Sequence, residues 1–236
     1  MSTEKLSFFL STETDCSYLP NRKSASIFAD PSGQMNTQAY SILIDHGFRR
    51  SANHVYRPHC PTCSECKPTR IPVAEFKPNR NQKRVWKKNA DLSIIEQKAT
   101  FNSEHFQLYM KYMHTRHQDG EMDHNDPQRY LEFLSSSWCD TWFVEFRLDD
   151  RLIAIAVTDI LVKGLSALYT FFDPDYSQRS LGTFAILWQI NKVKELEKPW
   201  LYLGYWIKDC KKMQYKNNFR PLQILHEDQW QTLQLD

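Results

Sequence analysis

The chain uses two hydrophobic periods in turn, and the change comes near Cys139. Before it, Tyr40, Leu43 and Ile44 recur at helical spacing, which predicts a helix over 36–46 that Gly47 stops. The stretch "RIPVAEF" reads as a short strand, followed by a polar run, "KPNRNQKRVWKKNADL". Asn102 or Ser103 is placed to cap a helix with Phe106, Met110, Met113 and His117 on one face. A further helix is expected to start at "DP", with Asp126 as cap and Pro127 in the first turn. After Cys139 the pattern changes: "TWFVEFRL" alternates, "DD" turns, "RLIAIAVTDIL" follows as a second strand, and "KG" turns into "LSALYTFF". That is a meander of three strands. Beyond "DPDYSQ" comes a helix with Leu181, Ala185, Trp188 and Leu196 facing inward. The strand "WLYLGYWI", a short basic helix "KDCKKMQYKNN" and the strand "PLQIL" complete the set.

The order β-β-β-α-β-α-β is that of the N-acetyltransferase-like (GNAT) fold. The expected class is therefore α/β, with an acyltransferase-like core over 101–236 and an N-terminal α/β portion over 1–100 that carries a cysteine knuckle and a basic region. In that fold a strand splays open, and the acyl donor lies at the next helix's N-terminus, whose free N–H groups suit phosphate. The usual loop there is Arg/Gln-x-x-Gly-x-Gly/Ala. Here "RSLGTF" supplies Arg179, Ser180 and Gly182, but Phe184 stands where a small residue belongs, so coenzyme A is not expected.

Composition narrows the class. With 236 residues, 41% hydrophobic and 14% aromatic, the chain is not a disordered one. No apolar run reaches the roughly 18 residues that span a bilayer, so no membrane association is expected. The opening "STEKLSFFLSTET" lacks a basic n-region and a small-residue cleavage site, and the cytosol is the expected compartment. There the six cysteines would stay reduced, so Cys60, Cys63 and Cys66 at two-residue gaps look metal-like before they look disulfide-like.

Charge adds a partner class. The formal net charge is only +2, yet 67–88 holds eight Lys/Arg against Glu75, and 208–220 holds five against Asp209. Two concentrated positive segments in a nearly neutral chain point to a polyanion. Two solvated basic faces would give the same pattern.

Four long stretches then become specific: "CSYLPNRKSASIF", "GFRRSANHVYRPHCPTCSECKPTRIPVAEFKPNRNQKRVWKKNADL", "YTFFDPDYSQRSLGTFAIL" and "YLGYWIKDCKKMQYKNNFRP". Together they resemble the aminoacyl-tRNA–protein transferase family over nearly the whole chain, and most closely its bacterial, leucine-transferring branch. The resemblance implies transfer of leucine from leucyl-tRNA to proteins beginning with Asp or Glu, which marks them for degradation. The arginine-transferring branch is the near alternative. Eukaryotic relatives hold an iron–sulfur cluster on a Cys-x-x-Cys and a later Cys pair. Here Leu19 replaces the second cysteine of the first motif, so Cys16 with Cys60, Cys63 and Cys66 would be the set for zinc or a cluster. Thiols that only pack a turn remain the other reading, and Cys139 and Cys210 read as small core residues.

An aminoacyl ester is already activated, and an α-amine with a pKa of about 7.7–8.0 is partly neutral near pH 7. Positioning and oxyanion stabilisation can then supply most of the rate, without a covalent nucleophile such as a His59–Cys60 pair. Tyr205 is a candidate proton donor or oxyanion partner, and Asp173 a candidate for orienting the amine. An acidic acceptor calls for arginine, with Arg70 and Arg80 first and Arg57 next. The single-stranded tRNA end calls for stacking plus cations: Lys83, Arg84, Trp86, Lys87, Lys88, and Arg179, Ser180 and Gly182 at the loop. Lys208, Lys211, Lys212, Lys216 and Arg220 suit phosphates. His114, His117 and His124 do not form a metal pattern, and a monomer is expected. An acyl-CoA-dependent N-acyltransferase and a non-catalytic zinc-knuckle RNA-binding module remain the competing readings.

Overall fold

A computed structural model describes residues 6–116 and 126–234; His117 and His124 lie outside them. The first part of the chain forms strands β1 (Phe8–Leu10), β2 (Thr14–Asp15), β3 (Lys23–Ser24) and β4 (Ser26–Ala29), helix α1 (Thr37–Asp45), and strands β5 (Arg49–Ser51) and β6 (His54–Pro58). Asn36 caps α1 by accepting from the Ala39 N–H, and Gly47 ends the turn at φ +84°. Tyr40, Leu43 and Ile44 are buried, as their spacing predicted. Strands β1, β4, β6 and β5 form a four-stranded sheet in that order, and α1 packs with it.

Next come β7 (Lys67–Pro72), α2 (Arg80–Lys88), β8 (Ser93–Lys98), α3 (Ser103–Arg116) and α4 (Pro127–Leu134). A capping box starts α2, with Asn79 accepting from the Gln82 N–H and Gln82 accepting from the Asn79 N–H. Asn102 accepts from Glu104 at the head of α3, and Asp126 accepts from Gln128 at the head of α4. Strands β9 (Thr141–Leu148), β10 (Arg151–Leu161) and β11 (Gly164–Phe172) are the expected meander, and Asp149 and Asp150 both turn at positive φ. A 3-10 helix at Pro174–Arg179 leads into α5 (Leu181–Glu195), then β12 (Trp200–Trp206), a second 3-10 helix at Lys211–Asn218, β13 (Gln223–His226) and β14 (Gln229–Thr232). Leu196 differs from its expected inward position. It lies just past the end of α5 and is exposed.

The result is a mixed α/β structure built on an eight-stranded sheet ordered β14-β13-β7-β12-β11-β10-β9-β8. β7 and β8 join this sheet from the N-terminal side of position 100. Both faces are covered, which is why β10 reads as one apolar run. Ile153, Ala154 and Ala156 pack with Phe184, Ala185 and Trp188 of α5, while Ile155 and Val157 pack with Tyr109 and Tyr130 of α3 and α4. β11 and β12 are the parallel pair, joined by α5. Their pairing covers only Gly164–Ser166 against Trp200–Tyr202, and beyond those residues the two strands part.

Candidate active site

A cavity of about 350 Å³ occupies the opening between β11 and β12, walled by Ala167, Leu168 and Tyr169 on one side and Leu203, Gly204 and Tyr205 on the other. β5 closes it with two adjacent arginines that point to opposite sides of the strand. Arg50 is fully buried in a bidentate pair with Asp159, at 2.8 and 2.5 Å, and also donates to the Leu134, Ser135 and Ala52 carbonyls. That network fixes β5 to β10 and to the end of α4. Arg49 then faces the cavity. Its Nη2 donates to the Ala167 carbonyl at 3.1 Å, while Nη1 is buried with no partner among the described residues. A buried, unpaired guanidinium nitrogen is costly unless something fills its hydrogen-bonding capacity.

Lys216 is the second cation. The 3-10 helix at Lys211–Asn218 turns it inward, so it leaves the surface set of Lys208, Lys211 and Lys212, and its Nζ donates to the Tyr205 carbonyl. Burial, reinforced by the charge of Arg49, pushes its pKa down to about 7. Phe133, Leu168, Leu203 and Met213 add an apolar wall. Tyr205 lines the cavity, but its hydroxyl is turned to backbone, donating to Gly47 at 2.9 Å, and burial raises its pKa well above the ordinary phenol value.

The other expected site residues are spread more widely. Arg70 lies between Trp200 and Trp230, 3.6 and 4.2 Å from their ring centres, and is engaged by Asp45 and Gln223. Arg57 donates to the His46 carbonyl over the Phe48 ring, and Arg80 is exposed at the start of α2. Asp173 caps the first 3-10 helix and pairs with Lys111 and Arg151. Burial opposes its ionisation, but the Lys111 hydrogen bond and the neighbouring charges hold its pKa below the ordinary carboxylate value. Arg179 grips Asp91 at 2.8 and 2.9 Å, Ser180 adopts a left-handed turn, and a side chain at Gly182 would meet only Phe172, at 3.7 Å.

The two basic segments do meet. Gln82 of α2 donates to the Asn218 carbonyl, and Phe76 stacks on Phe219. Lys83, Arg84, Trp86, Lys87 and Lys88 are all exposed on α2, where Trp86 rests on Phe184, and Arg220 is exposed at the end of the second segment.

The thiols of Cys16, Cys63 and Cys66 pack with Leu19, Ile207, Cys210 and Met213, directly behind the cavity wall that Met213 shares. Burial, then the nearness of Cys60, Cys16 and Cys63, pushes the Cys66 thiol up to about 12. Cys66 therefore favours its neutral thiol. Among the described residues, no three His, Cys, Asp or Glu side chains are grouped as a metal site requires. Cys139 and Cys210 are buried free thiols.

Arg49 and Gly204 escaped the sequence reading. Their signals were present: an Arg-Arg pair in a short strand forces one arginine inward, and a glycine inside an aromatic strand marks a close approach.

Two family models match the chain: "Arginine-tRNA-protein transferase, N terminus" over 14–84 and "Arginine-tRNA-protein transferase, C terminus" over 104–226. An aspartate/glutamate leucyltransferase of Nitrosococcus oceani is 49% identical over 227 residues, covering 96% of this chain and 95% of that protein. The protein of the same description from Pseudomonas syringae is 48% identical, with 97% of each chain covered. Among solved structures, L-PGS from Bacillus licheniformis matches with a TM-score of 0.44 at 9% identity, covering 70% of this chain and 49% of that one.

Proposed function

The chain belongs to the arginine-tRNA–protein transferase family, and on that premise we propose that it moves leucine from leucyl-tRNA to the α-amine of proteins beginning with Asp or Glu. It is an aminoacyltransferase. The observation that carries the acceptor side is Arg49, which lines the cavity between β11 and β12 and whose buried Nη1 has no partner among the described residues. A carboxylate supplies the acceptor atoms it lacks, and supplies them in the planar form a guanidinium matches. The apolar wall of Phe133, Leu168, Leu203 and Met213 suits a leucyl side chain better than a second guanidinium. That supports leucine over arginine as cargo.

In this reading the acyltransferase-like core, residues 101–236, is of the GNAT type. A three-strand meander, a helix and a strand that leaves its parallel neighbour support it. Residues 1–100 add Arg49, the thiol turn and the basic helix α2. Coenzyme A is disfavoured because Arg179 is held by Asp91 and Phe184 is packed in the core. The exposed cations of α2, with Lys208, Lys211, Lys212 and Arg220, receive the tRNA backbone. The amine attacks the ester carbonyl directly, and proximity in the cavity supplies much of the rate. The thiol group backs the wall near Tyr18 and Met213; zinc or a cluster on Cys16, Cys60, Cys63 and Cys66 would need those side chains to regroup. No described helix is long and apolar enough to cross a membrane, and we place the enzyme in the cytosol as a monomer.

The test is a peptide beginning with Asp, mixed with the protein and leucyl-tRNA. A mass gain of one leucyl residue is expected, with little gain from arginyl-tRNA and none from acetyl coenzyme A. RNA binding with no transfer would overturn the reading in favour of a binding module.

A further inference from the structure

We propose that Lys216 accepts the proton of the acceptor's α-ammonium, so that the incoming nitrogen attacks as a free amine. This rests on the leucyl-transfer reading and assigns the proton step that reading leaves open.

The geometry comes first. Lys216 is 6% exposed and lines the same cavity as Arg49, at the point where β12 has left β11. Among the described residues, no carboxylate lies within ion-pair distance of it. The groups that face it are Arg49 from β5, Cys210 and Tyr215 from its own segment and Tyr205 from β12, with Tyr18 and Tyr56 elsewhere on the cavity lining. None of these is a carboxylate, and one is a guanidinium. A lysine so placed is held near the midpoint of its titration, with a pKa of about 7. The lone pair is therefore available at the pH where a protein α-amine, at about 7.7–8.0, is mostly protonated.

The step balances without any further reactant. One proton of the α-ammonium passes to the Lys216 nitrogen. The freed amine forms the C–N bond at the leucyl carbonyl, and the carbonyl's bond to the ribose oxygen breaks. The second proton leaves the nitrogen and ends on that ribose oxygen as a hydroxyl. Lys216 returns its proton to water before the next turnover. The acidic acceptor also helps: a carboxylate seated on Arg49 offsets the charge that weakens Lys216, so the base strengthens when the correct substrate is present.

A purely structural role has a clear competing form. Tyr205 faces Pro68 across the β12–β7 pairing, proline has no N–H, and Lys216 supplies the missing donor to the Tyr205 carbonyl. Arginine or glutamine can supply a donor as well, but neither can take up a proton at neutral pH. We would measure kcat and KM for an Asp-peptide with Lys216→Arg and Lys216→Gln between about pH 6 and 9. Wild-type-like melting, unchanged leucyl-tRNA affinity and a fall in kcat of about 10²-fold are expected. The kcat/KM profile should lose its break near 7 and keep only the amine's, near 8. A kcat within about three-fold of wild type in either variant, against the 10²-fold expected of a lost base, would overturn the assignment. Should both variants fail to fold, the wild type decides. With a malyl peptide, whose nucleophile is a hydroxyl, a break near 7 belongs to the enzyme, and a flat profile overturns the proposal. Wild type that transfers nothing to either acceptor refutes the leucyl-transfer reading itself, a separate outcome.

Discussion

The Nη1 atom of Arg49 occupies the space that a Cβ on Gly204 would claim. Gly204 sits at φ +79° in the middle of β12, beside a register shift against β7. The glycine thus serves two ends: it allows the left-handed backbone and it makes room for the guanidinium. For Gly204→Ala we expect a backbone cost of about 1–2 kcal/mol, a melting point lower by roughly 2–8 °C, and displacement of Arg49 from the cavity. Leucylation of an Asp-peptide should fall much further than this stability loss explains. A variant that melts early yet transfers at the wild-type rate would refute the link between the two residues.

Arg49→Gln separates recognition from fold. It keeps a donor for the Ala167 carbonyl but removes the charge. The loss of a charge-assisted hydrogen bond, about 1.5–3 kcal/mol, corresponds to a KM for the Asp-peptide roughly 10- to 10²-fold higher. Affinity for leucyl-tRNA should not move. The change should also raise the pKa of Lys216, because one of the two causes that depress it is gone. The break in the pH–rate profile therefore moves above 7.

Arg50 and Asp159 are wholly buried partners, and breaking one side leaves a charge stranded. Asp159→Ala is expected to cost about 3–5 kcal/mol in denaturant unfolding. A smaller loss for Arg50→Met with Asp159→Leu than for Asp159→Ala alone would show that the cost is the orphaned charge. The double variant should still lose transfer activity, since β5 would no longer hold Arg49 against the cavity.

Local signals carried much of this fold. The Asp126 cap, the Asn102 cap offered alongside Ser103, the "DD" turn and the three-strand meander were all visible, because each depends on neighbours in sequence. Helix α2 has no counterpart among the sequence-based elements, where its residues form only a basic stretch, although Asn79 and Gln82 make its capping box; the density of charge masks the motif. Strand β8 was missed because it is an exposed edge, where Ile94 and Ile95 show no alternation of burial. The cavity was the hardest part to anticipate. Arg49, Gly204 and Lys216 are brought together by the parting of β11 and β12, a tertiary event with no local mark. Arg70 was the more obvious arginine, yet pairing across β7, β12 and β13 commits it to two tryptophans and Asp45.

Glu145 gives an acid-sensitive element away from the cavity. It is buried, with His105 at 2.6 Å and Arg147 at 2.5 Å. Burial raises its pKa, but the hydrogen bonds from Arg147 and His105 outweigh that and leave it below the ordinary glutamate value. A carboxyl lowered on folding stabilises fully above its unfolded pKa, about 4.3, and that contribution is lost as pH falls through the folded value. Glu145→Gln should therefore be less stable at pH 7 by roughly 2–3 kcal/mol, and its melting point should decline less steeply than the wild type's below about pH 4. Parallel curves for the two proteins would show that other carboxylates govern the acid limb.

The basic face of α2 is tested by salt. Lys83, Arg84 and Lys87 are exposed beside Trp86, and no ion pair holds any of the three among the described residues, whereas Lys88 donates to the Gln178 carbonyl and Arg179 is held by Asp91. Phosphate contacts release counterions, so each lost contact lowers the slope of log affinity against log salt by about 0.7–0.9. Replacing Lys83 and Lys87 by Ala should reduce that slope by roughly 1.4–1.8 for leucyl-tRNA and leave the kcat at saturating tRNA unchanged. Trp86→Ala should weaken binding by about 1–3 kcal/mol with no change in slope, because a stacked base carries no charge. Equal losses for charged tRNA and for an unrelated duplex RNA would mean that this face grips any polyanion, and the acceptor end would then have to be read elsewhere.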